Sequence, residues 1–335
     1  MTAANAHAAI TALHAEETVF PLAEVFTISR GSRTEARVVT VTLSDGTNKG
    51  YGESVPYARY GETVSGVVET IMSLEDELRN GLDRQGLQSR LEPGAARNAL
   101  DCAFWDLESK RAGERAHVLA GIPFMKPEVT AYTLSLADPE TMRGKASQHA
   151  SRPLLKIKLG GEGDMARLEA VRQGAPETDI IIDANEGWDA DTYRALAPEL
   201  VRLGVRMVEQ PLPAGADEAL LELERVLPVC ADESCHDRES LAALAGKYDM
   251  INIKLDKTGG LTEALKLRAR AEEMGFEIMV GCMVGSSLAM APAVLVAQGV
   301  AYTDLDGPLL LAEDRATPLK FDDRFIFPPE PSLWG

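Results

Sequence analysis

Three acidic residues each end a short apolar run, and their spacing along the chain is nearly even. They are Asp183, Glu209 and Asp232, separated by 26 and 23 residues. Lys158 lies 25 residues before the first of them and Lys254 lies 22 residues after the last. A set made only of carboxylates offers hard oxygen ligands, which suit Mg²⁺, and Mn²⁺ could substitute. Any one acid could instead be the N-cap of a following helix, but three in succession favour a metal site, here called the carboxylate trio.

The two flanking lysines suggest proton transfer. If a substrate carboxylate is bound to the cation, the charge that develops when its α-proton leaves is stabilised as an enediolate. One lysine can then remove the proton while the other returns a proton to the opposite face, which inverts the carbon. Lys156 would be an electrostatic helper, because a nearby positive charge and the cation both lower the pKa of the Lys158 base. The alternative is that Lys156, Lys158 and Lys254 are solvated lysines at strand ends.

The elements that position these residues follow from the same spacing. About 25 residues is the length of one strand, helix and loop in a (β/α)8 barrel, whose active site lies at the carboxyl ends of the strands. Residues 180–183, 205–209 and 228–232 are mostly apolar until an acid ends them, as in parallel strands buried on both faces. Alternation within 154–159 puts both lysines on one face. We therefore predict an α/β fold with a TIM-like (β/α)8 barrel, its strands at about 129–136, 154–159, 179–184, 205–209, 228–232, 249–255, 276–282 and 302–306.

The first part of the chain has a different pattern. Residues 37–43 alternate like an antiparallel strand, and a turn then leads to a second strand that ends near Glu53. Helical stripes of apolar residues follow within 64–78 and 95–107. The prediction is an N-terminal α+β capping domain over 1–125, a (β/α)7β-type barrel over 126–317, and a C-terminal tail over 318–335 that packs on the capping domain.

Composition excludes several classes of function. The formal net charge is −18, from 34 basic and 52 acidic residues, which argues against nucleic acid or an anionic membrane as a partner. No apolar stretch reaches the length of a membrane span, and residues 1–14 lack the basic flank and continuous apolar centre of a secretory signal. Four cysteines without a disulfide framework fit a reducing compartment, and the five histidines are not spaced for zinc. A cytoplasmic enzyme is expected.

Two further groups of residues could bind a ligand. Asp304 and Asp306 share the same face at the end of the eighth predicted strand, where they would suit a cationic ligand group; water or a neighbouring arginine is the alternative partner. Residues 26–33 are predicted to form a flexible loop that carries Arg30 and Arg33. An arginine offers a carboxylate two parallel hydrogen bonds, although most loop arginines are simply solvated.

At this point the chain resembles the enolase superfamily, in its muconate-lactonizing subgroup, whose sites combine a lysine base with Mg²⁺. The resemblance covers nearly the whole chain beyond the first dozen residues. Within that subgroup, Asp304-Leu305-Asp306 is similar to the dipeptide epimerases. The other motifs that carry the resemblance are Lys156-Ile157-Lys158, Asp183-Ala184-Asn185, Glu209-Gln210-Pro211, Ala231-Asp232-Glu233-Ser234 and the segment 253–260.

The resemblance implies a Mg²⁺-dependent isomerase that inverts the C-terminal residue of a dipeptide, with L-Ala-D-Glu and L-Ala-L-Glu as expected substrates in murein peptide recycling. Asp304 and Asp306 would then hold the substrate's ammonium group, and Arg33 would hold the γ-carboxylate. Thr133 and Cys282 would line the dipeptide cleft. Loops around Arg33 and Glu53 would close over the mouth.

Other functions remain open at this point. A cycloisomerase, an o-succinylbenzoate synthase or an N-acylamino acid racemase would keep the site and change the reaction, although none of these needs an ammonium-binding aspartate pair. A metal-dependent hydrolase would usually recruit histidines, and a non-catalytic ligand-binding barrel is the last class considered. A homo-oligomer is possible, since barrels of this kind often assemble.

Overall fold

The computed structural model describes residues 9–335. Residues 1–8, which belong to the predicted capping domain and to the segment considered as a signal, lie outside the described part. The strands are β1 (Ala12–Ile28), β2 (Gly31–Ser44), β3 (Lys49–Ser54), β4 (Glu128–Val129), β5 (Tyr132–Leu134), β6 (Leu154–Lys158), β7 (Asp179–Asp183), β8 (Val205–Glu209), β9 (Val229–Ala231), β10 (Met250–Ile253), β11 (Glu277–Gly281), β12 (Tyr302–Asp304) and β13 (Phe325–Ile326).

The helices lie mostly between these strands. They are α1 (Val64–Met72), α2 (Glu75–Arg79), α3 (Arg84–Arg90), α4 (Ala95–Ala112), α5 (Ala116–Leu119), α6 (Pro139–Gln148), α7 (Asp164–Gly174), α8 (Ala190–Arg202), α9 (Leu241–Leu244), α10 (Leu255–Thr258), α11 (Leu261–Glu273) and α12 (Ser287–Val296). Short 3₁₀ turns are found at Ala58–Tyr60, Ala214–Ala216, Glu218–Leu221, Arg238–Ser240 and Gly307–Leu310. Within residues 9–335, no helix has the length and apolar character needed to cross a membrane.

The predicted barrel is confirmed. Strands β5 to β12 form one sheet of eight strands in chain order, and the neighbours that pair within it are parallel. A parallel bridge between Thr130 and Thr303 joins the two ends of the sheet, with Ala131 N donating to Thr303 O at 2.8 Å. The ring is therefore closed, and the carboxyl ends of all eight strands open on one face of the molecule.

The N-terminal unit is a separate antiparallel sheet in the order β1-β2-β3, covered by helices. Helix α4 lies close against β3 because Gly50 and Gly52 have no side chains. A Cβ at either glycine would come within 2.1 Å of a main-chain oxygen of α4. Val41 and Leu43 of β2 share this core with Leu100 of α4, and all three are fully buried. The predicted hairpin of the second and third strands is confirmed.

The expectation of a flexible loop at residues 26–33 is wrong. Phe26 pairs with Arg33, and Ile28 pairs with Gly31, so this segment is the tip of the long β1–β2 hairpin with only Ser29 and Arg30 in the turn. The sequence pattern conceals β1 because Pro21 and several charged residues interrupt its alternation, and the pairing shifts register between Pro21 and Phe26. A paired ribbon holds the side chains of the tip in defined directions.

The C-terminal tail contacts both the barrel region and the N-terminal unit. Strand β13 pairs antiparallel with β4. Trp334 is fully buried and its Nε1 donates to Cys102 O in α4 at 3.0 Å, while Gly335 N donates to Asp106 Oδ1 at 2.8 Å. The division of the chain at residues 125 and 317 stays a prediction, with which these tail contacts are compatible.

Candidate active site

Alternation along the barrel strands decides which side chains reach the mouth. One inward-facing layer is apolar and takes a residue from nearly every strand: Ala131, Leu154, Ile181, Met207, Cys230, Met250 and Met279. Neighbouring positions such as Leu155, Ile180 and Ile182 belong to the core between the strands and the helices. Because side chains repeat with a period of two, the next inward layer toward the carboxyl ends is Thr133, Lys156, Asp183, Glu209, Asp232, Asn252 and Gly281.

A cavity of about 220 Å³ lies above this layer and is open to solvent on one side. It is bounded by the barrel mouth and by the tip of the β1–β2 hairpin. Asp183 and Glu209 lie below its floor and are fully buried. The other predicted site residues all line it: Arg33, Thr133, Lys156, Lys158, Asp232, Lys254, Cys282, Asp304 and Asp306.

The carboxylate trio converges beneath the cavity. Asp183, Glu209 and Asp232 each offer one oxygen that lies within 4.8 Å of those of the other two. Asn185 N donates to Asp183 Oδ1 at 2.8 Å, and Asn252 Nδ2 donates to Glu209 Oε1 at 2.7 Å, which fixes the direction of both carboxylates. Three buried oxygen donors at this spacing suit a hard divalent cation, so the residues fit the predicted metal.

Three lysines balance the charge of this set. Lys158 Nζ lies 2.6 Å from Asp183 Oδ2, and Lys254 Nζ lies 2.6 Å from Asp232 Oδ2. Lys158 ends β6 and Lys254 directly follows β10. These strands are second and sixth in the order of eight, and therefore stand on opposite sides of the barrel. The two amines approach the carboxylate trio from opposite sides.

Lys156 has a different environment. Its Nζ lies 2.6 Å from Glu209 Oε2, 2.7 Å from Asp304 Oδ2 and 3.3 Å from Asp183 Oδ2, and the residue is only 1% exposed. Burial alone would lower the pKa of this ammonium, but the three surrounding carboxylates raise it well above the ordinary value. The ammonium form of Lys156 is therefore favoured by the carboxylates that surround it.

The carboxylates of the trio differ in pKa because their partners differ. Burial opposes ionisation at all three, yet Lys158 lowers the pKa of Asp183 to about 2, and Lys254 with Lys257 lowers that of Asp232 well below its usual range. Among these lysines, only Lys156 contacts Glu209. Burial and the neighbouring Asp183 therefore raise the pKa of Glu209 to about 7. For Lys254, burial lowers the pKa, but Asp232 and Glu209 outweigh that effect and raise it well above 10.5.

Asp304 and Asp306 lie side by side at one end of the cavity. Thr133 N donates to Asp306 Oδ2 at 2.6 Å, and Thr133 Oγ1 lies 3.4 Å from Asp304 Oδ1. Burial and the charge of Asp304 raise the pKa of Asp306 to about 7. A second positive group beside the pair would relieve this repulsion. Cys282 also faces this end, and burial raises the pKa of its thiol, with Asp304 and Asp306 acting in the same direction.

The two arginines of the hairpin tip have different surroundings. Arg33 is exposed at the rim of the cavity, with its guanidinium carbon 5.5 Å from the centre of the Tyr57 ring. Arg30 instead crosses to the barrel, where Nη2 contacts Glu233 Oε1 at 2.8 Å and Nη1 donates to Asn185 O at 2.9 Å. The sequence shows both as loop arginines, and only the pairing of β1 with β2 distinguishes them.

Closure of the loops around Arg33 and Glu53 over the mouth stays a prediction, but Glu53 itself lies in a strand rather than in a loop. It is 1% exposed at the end of β3, and Oε2 lies 2.7 Å from Arg315 Nη2. Ser286 N donates to Glu53 Oε1 at 2.8 Å. Residues 40 and 53 of the N-terminal unit, together with 286 and 315 of the barrel region, thus form a fixed contact between the two parts.

Sequence reasoning missed two residues that hold Asp232 in place. Lys257 Nζ donates to Asp232 Oδ1 at 2.7 Å and to Asp232 O at 2.6 Å. Gln210 Oε1 accepts from Asp232 N at 2.9 Å and from Ser234 N at 3.1 Å. Both residues belong to motifs already noted. The direction of the Lys257 side chain depends on α10, and that of Gln210 depends on its left-handed backbone, whose φ is 35°.

Two family models match the chain. Residues 9–121 match the model of the mandelate racemase/muconate lactonizing enzyme N-terminal domain, and residues 142–331 match that of the enolase C-terminal domain-like family. The L-Ala-D/L-Glu epimerase of Escherichia coli (strain K12) is 47% identical over 307 residues, or 91% of this chain and 96% of that protein.

Two other similar proteins bear on the ligand. An N-acetyl-D-glutamate racemase of Pseudoalteromonas sp. is 43% identical over 301 residues, covering 89% of this chain and 95% of its own. A solved structure of an enolase family member from Agrobacterium tumefaciens, described as homologous to dipeptide epimerases and holding sodium and L-Ala-L-Glu, is 56% identical with a TM-score of 0.95. That likeness covers 96% of this chain and 99% of the other.

Proposed function

Because the chain belongs to the mandelate racemase/muconate lactonizing enzyme family of the enolase superfamily, we propose that this isomerase inverts the C-terminal α-carbon of a dipeptide. L-Ala-L-Glu and L-Ala-D-Glu are the proposed substrates. The observation that carries the proposal is the position of Lys158 and Lys254 on opposite strands, each 2.6 Å from a member of the carboxylate trio. Inversion needs a proton acceptor and a proton donor on opposite faces of one carbon.

Asp183, Glu209 and Asp232 would hold Mg²⁺, or Mn²⁺ in its place. When bound, the cation would supply Lewis-acid stabilisation for the negative charge that the substrate carboxylate gains as its α-proton leaves. The positive charge of Lys156, in contact with Glu209 and Asp304, would act on the same negative charge through space. It is therefore an electrostatic helper.

Proton transfer falls to the two outer lysines. In one direction the neutral amine of Lys158 takes the α-proton, and the ammonium group of Lys254 gives a proton to the opposite face. In the other direction the roles exchange. A lysine must be neutral to act as a base, and the carboxylates that raise the pKa of Lys254 are Asp232 and Glu209. Those are also proposed metal ligands, so we expect turnover to require the cation and to decrease at low pH.

Substrate recognition would use the remaining lining residues. Asp304 and Asp306 would bind the free ammonium group of the dipeptide, since the two carboxylates lie side by side, and burial together with the charge of Asp304 raises the pKa of Asp306 to about 7. The exposed guanidinium of Arg33 would bind the γ-carboxylate of the second residue at the rim. Thr133 and Cys282 would form the wall along the peptide between these ends.

We place the reaction in the recycling of murein peptides in the cytoplasm, in keeping with the named activity of the E. coli relative. A strain that lacks this chain should accumulate L-Ala-D-Glu, which mass spectrometry of the dipeptide pool would detect. An unchanged pool under active wall turnover would contradict the cellular role and leave the chemical proposal intact.

A second candidate is racemisation of an N-acylated amino acid. The 43% identity to an N-acetyl-D-glutamate racemase favours it. Acylation removes the positive charge that Asp304 and Asp306 would bind, so we expect L-Ala-L-Glu to be turned over in preference to N-acetyl-L-Glu. Measuring kcat/KM for both compounds separates the two reactions.

The direct test uses exchange with solvent. L-Ala-L-Glu is incubated with the protein and Mg²⁺ in D₂O, and the Glu α-proton is followed by NMR while chiral chromatography follows inversion. The wild type should lose the α-proton signal and form the other isomer. Lys158→Met and Lys254→Met should each abolish inversion, and each should retain exchange only for the isomer that its remaining lysine faces.

Lys126→Met is the matched control, because Lys126 has a side chain that is 60% exposed and lies outside the cavity. It should behave as the wild type. Persistence of the α-proton signal in the wild type at saturating substrate would overturn the proposed reaction. Inversion that survives in either lysine variant would overturn the two-base assignment.

A further inference from the structure

A second cavity of about 300 Å³ adjoins the candidate active site. It lies between the tip of β1, the segment that follows β5, and helix α6. The two cavities share Phe26, Thr133 and Leu310 in their linings. They are therefore adjacent spaces that meet at these side chains, and Thr133 is also the residue whose N–H holds Asp306.

The second cavity has the chemistry of a site for an apolar group. Leu134, Leu136, Met142 and Leu309 provide much of its lining. Charge is found at its outer edge, where Lys145 pairs with Glu24, with side chains 34% and 64% exposed. An apolar interior with a polar rim is typical of small-molecule sites.

We propose that this cavity receives the side chain of the N-terminal residue of the substrate, so that dipeptides with a long apolar first residue are substrates. The inference rests on the proposed function. If the first residue's ammonium lies at Asp304 and Asp306 and its carbonyl leads toward the lysines, two substituents of its α-carbon are already directed. The side chain and the hydrogen take the two remaining positions, and Thr133, which holds Asp306 and lines both cavities, places the second cavity next to this carbon.

The charge of the aspartate pair argues against other occupants. An N-terminal extension or an acyl group would place a neutral amide beside Asp304 and Asp306. Asp304 would keep its ion pair with Lys156, but the repulsion between the two buried carboxylates would gain no second positive group to relieve it. A side chain of the first residue leaves the ammonium free. The cavity therefore fits a side chain better than a longer main chain.

The test is a homologous series in which only the first side chain grows: L-Ala-, L-2-aminobutyryl-, L-norvalyl- and L-norleucyl-L-Glu. Each buried methylene contributes up to about a fourfold gain. We expect kcat/KM to rise about two- to fourfold with each methylene until the cavity is filled. The α-proton exchange assay in D₂O provides the rate for every member of the series.

Two variants place a larger side chain in the cavity from opposite walls. Ala23→Trp acts from the exposed hairpin strand and Ala137→Leu from the segment after β5; both residues line only the second cavity of the two. Each should cancel or reverse the gain with chain length. Val19→Trp is the control, since Val19 is 40% exposed on the same strand and lines neither cavity.

The outcomes are distinct. A gain with chain length that is lost in the cavity variants and kept in Val19→Trp supports the inference. Turnover of L-Ala-L-Glu with a steady decrease along the series, or a gain that survives in both folded cavity variants, overturns the inference and leaves the proposed function standing. Absence of exchange for every dipeptide, L-Ala-L-Glu included, overturns both.

Discussion

Lys257 and Asp232 are joined by two short contacts. Lys257 Nζ donates to the carboxylate Oδ1 at 2.7 Å and to the main-chain oxygen at 2.6 Å. Asp232 Oδ2 lies 2.6 Å from Lys254 Nζ. Asp232 Oδ1 is thus held by the buried ammonium group of Lys257, and Oδ2 is directed toward the cavity. Lys257 sets the orientation of Asp232.

Removing the charge of Lys257 should destabilise the fold. Lys257 is 2% exposed, and breaking a buried ion pair by deleting one partner costs about 3–5 kcal/mol. We expect Lys257→Met to lower the free energy of unfolding by that amount, measured by urea denaturation. Lys126→Met, at an exposed pair whose atoms are 3.9 Å apart, should cost less than about 1 kcal/mol. Equal effects of the two substitutions would show that Lys257 has no such role.

Stability should depend on pH through Asp256, which joins the barrel to the N-terminal unit. Its Oδ1 accepts from Val55 N at 2.9 Å and from Asn98 Nδ2 at 2.8 Å. Burial raises its pKa to about 7 from the ordinary 3.8, and Glu62 and Glu53 add to the increase. The folded protein therefore holds this proton more tightly than the unfolded chain does. The free-energy cost of ionising Asp256 in the folded protein is therefore absent below pH 3.8 and reaches its full value above pH 7.

Asp256→Asn keeps the accepting oxygen and removes the titration. Its stability relative to the wild type should increase as the pH rises from 4 to 8, by at most about 4 kcal/mol. Urea denaturation across this pH range without added metal gives the measurement. Asp191→Asn, at a position with a 91% exposed side chain, should give a flat difference. A flat difference for Asp256→Asn as well would contradict the assignment of the buried proton.

Trp334 should contribute strongly to stability although it is the penultimate residue. It is fully buried, and its Nε1 donates to Cys102 O at 3.0 Å. Replacing a buried tryptophan with alanine costs about 3–5 kcal/mol. We expect Trp334→Ala to lower the free energy of unfolding by this amount. Phe124→Ala is the control, because Phe124 is 72% exposed, and a loss of similar size there would remove the argument from burial.

Arg30 should hold the tip of the hairpin against the barrel. It contacts Glu233 at 2.8 Å, Asn185 O at 2.9 Å and Tyr57 OH at 3.0 Å. Hydrogen bonds to charged groups contribute about 1.5–3 kcal/mol, so we expect Arg30→Met to raise KM about tenfold or more. Amide exchange at residues 26–33 should become faster, while the urea midpoint changes little.

Arg37→Met tests whether any arginine on the hairpin has this effect. Arg37 is 53% exposed and pairs only within the hairpin, with Glu17 and Glu35. Its loss should leave both KM and the exchange rate at the tip unchanged. An unchanged KM for Arg30→Met would show that the hairpin keeps its position without that contact.

The fold was largely predictable because its patterns are local. Strands buried on both faces show as apolar runs, and the predicted helical stripe of residues 95–107 lies within α4 (Ala95–Ala112). Strand β1 was not predicted, since a long two-stranded ribbon with a register shift lacks a clean alternation. Helix α10, four residues long, was missed because so short a helix has no periodicity to detect.

The candidate site was predictable where it follows from the strand period. Once Ile181 faces the barrel interior, Asp183 must face it too, and the same rule brings Lys156, Lys158 and Asp232 to the mouth. The site was not predictable for contacts between residues that lie far apart in the chain. Arg30 meets Glu233 across 203 positions, a contact that no local pattern reports.

By itself the sequence determined a barrel whose strand ends carry three acids and two lysines, because spacing and alternation are properties of consecutive residues. Only the tertiary structure decided that Lys156 contacts three carboxylates while Lys158 and Lys254 each contact one, although all three are lysines of predicted strands in the sequence. The physical reason is that charge, burial and pKa depend on which groups come within a few ångströms after closure. Lys156 and Asp304, 148 positions apart, become neighbours only when the last strands complete the ring.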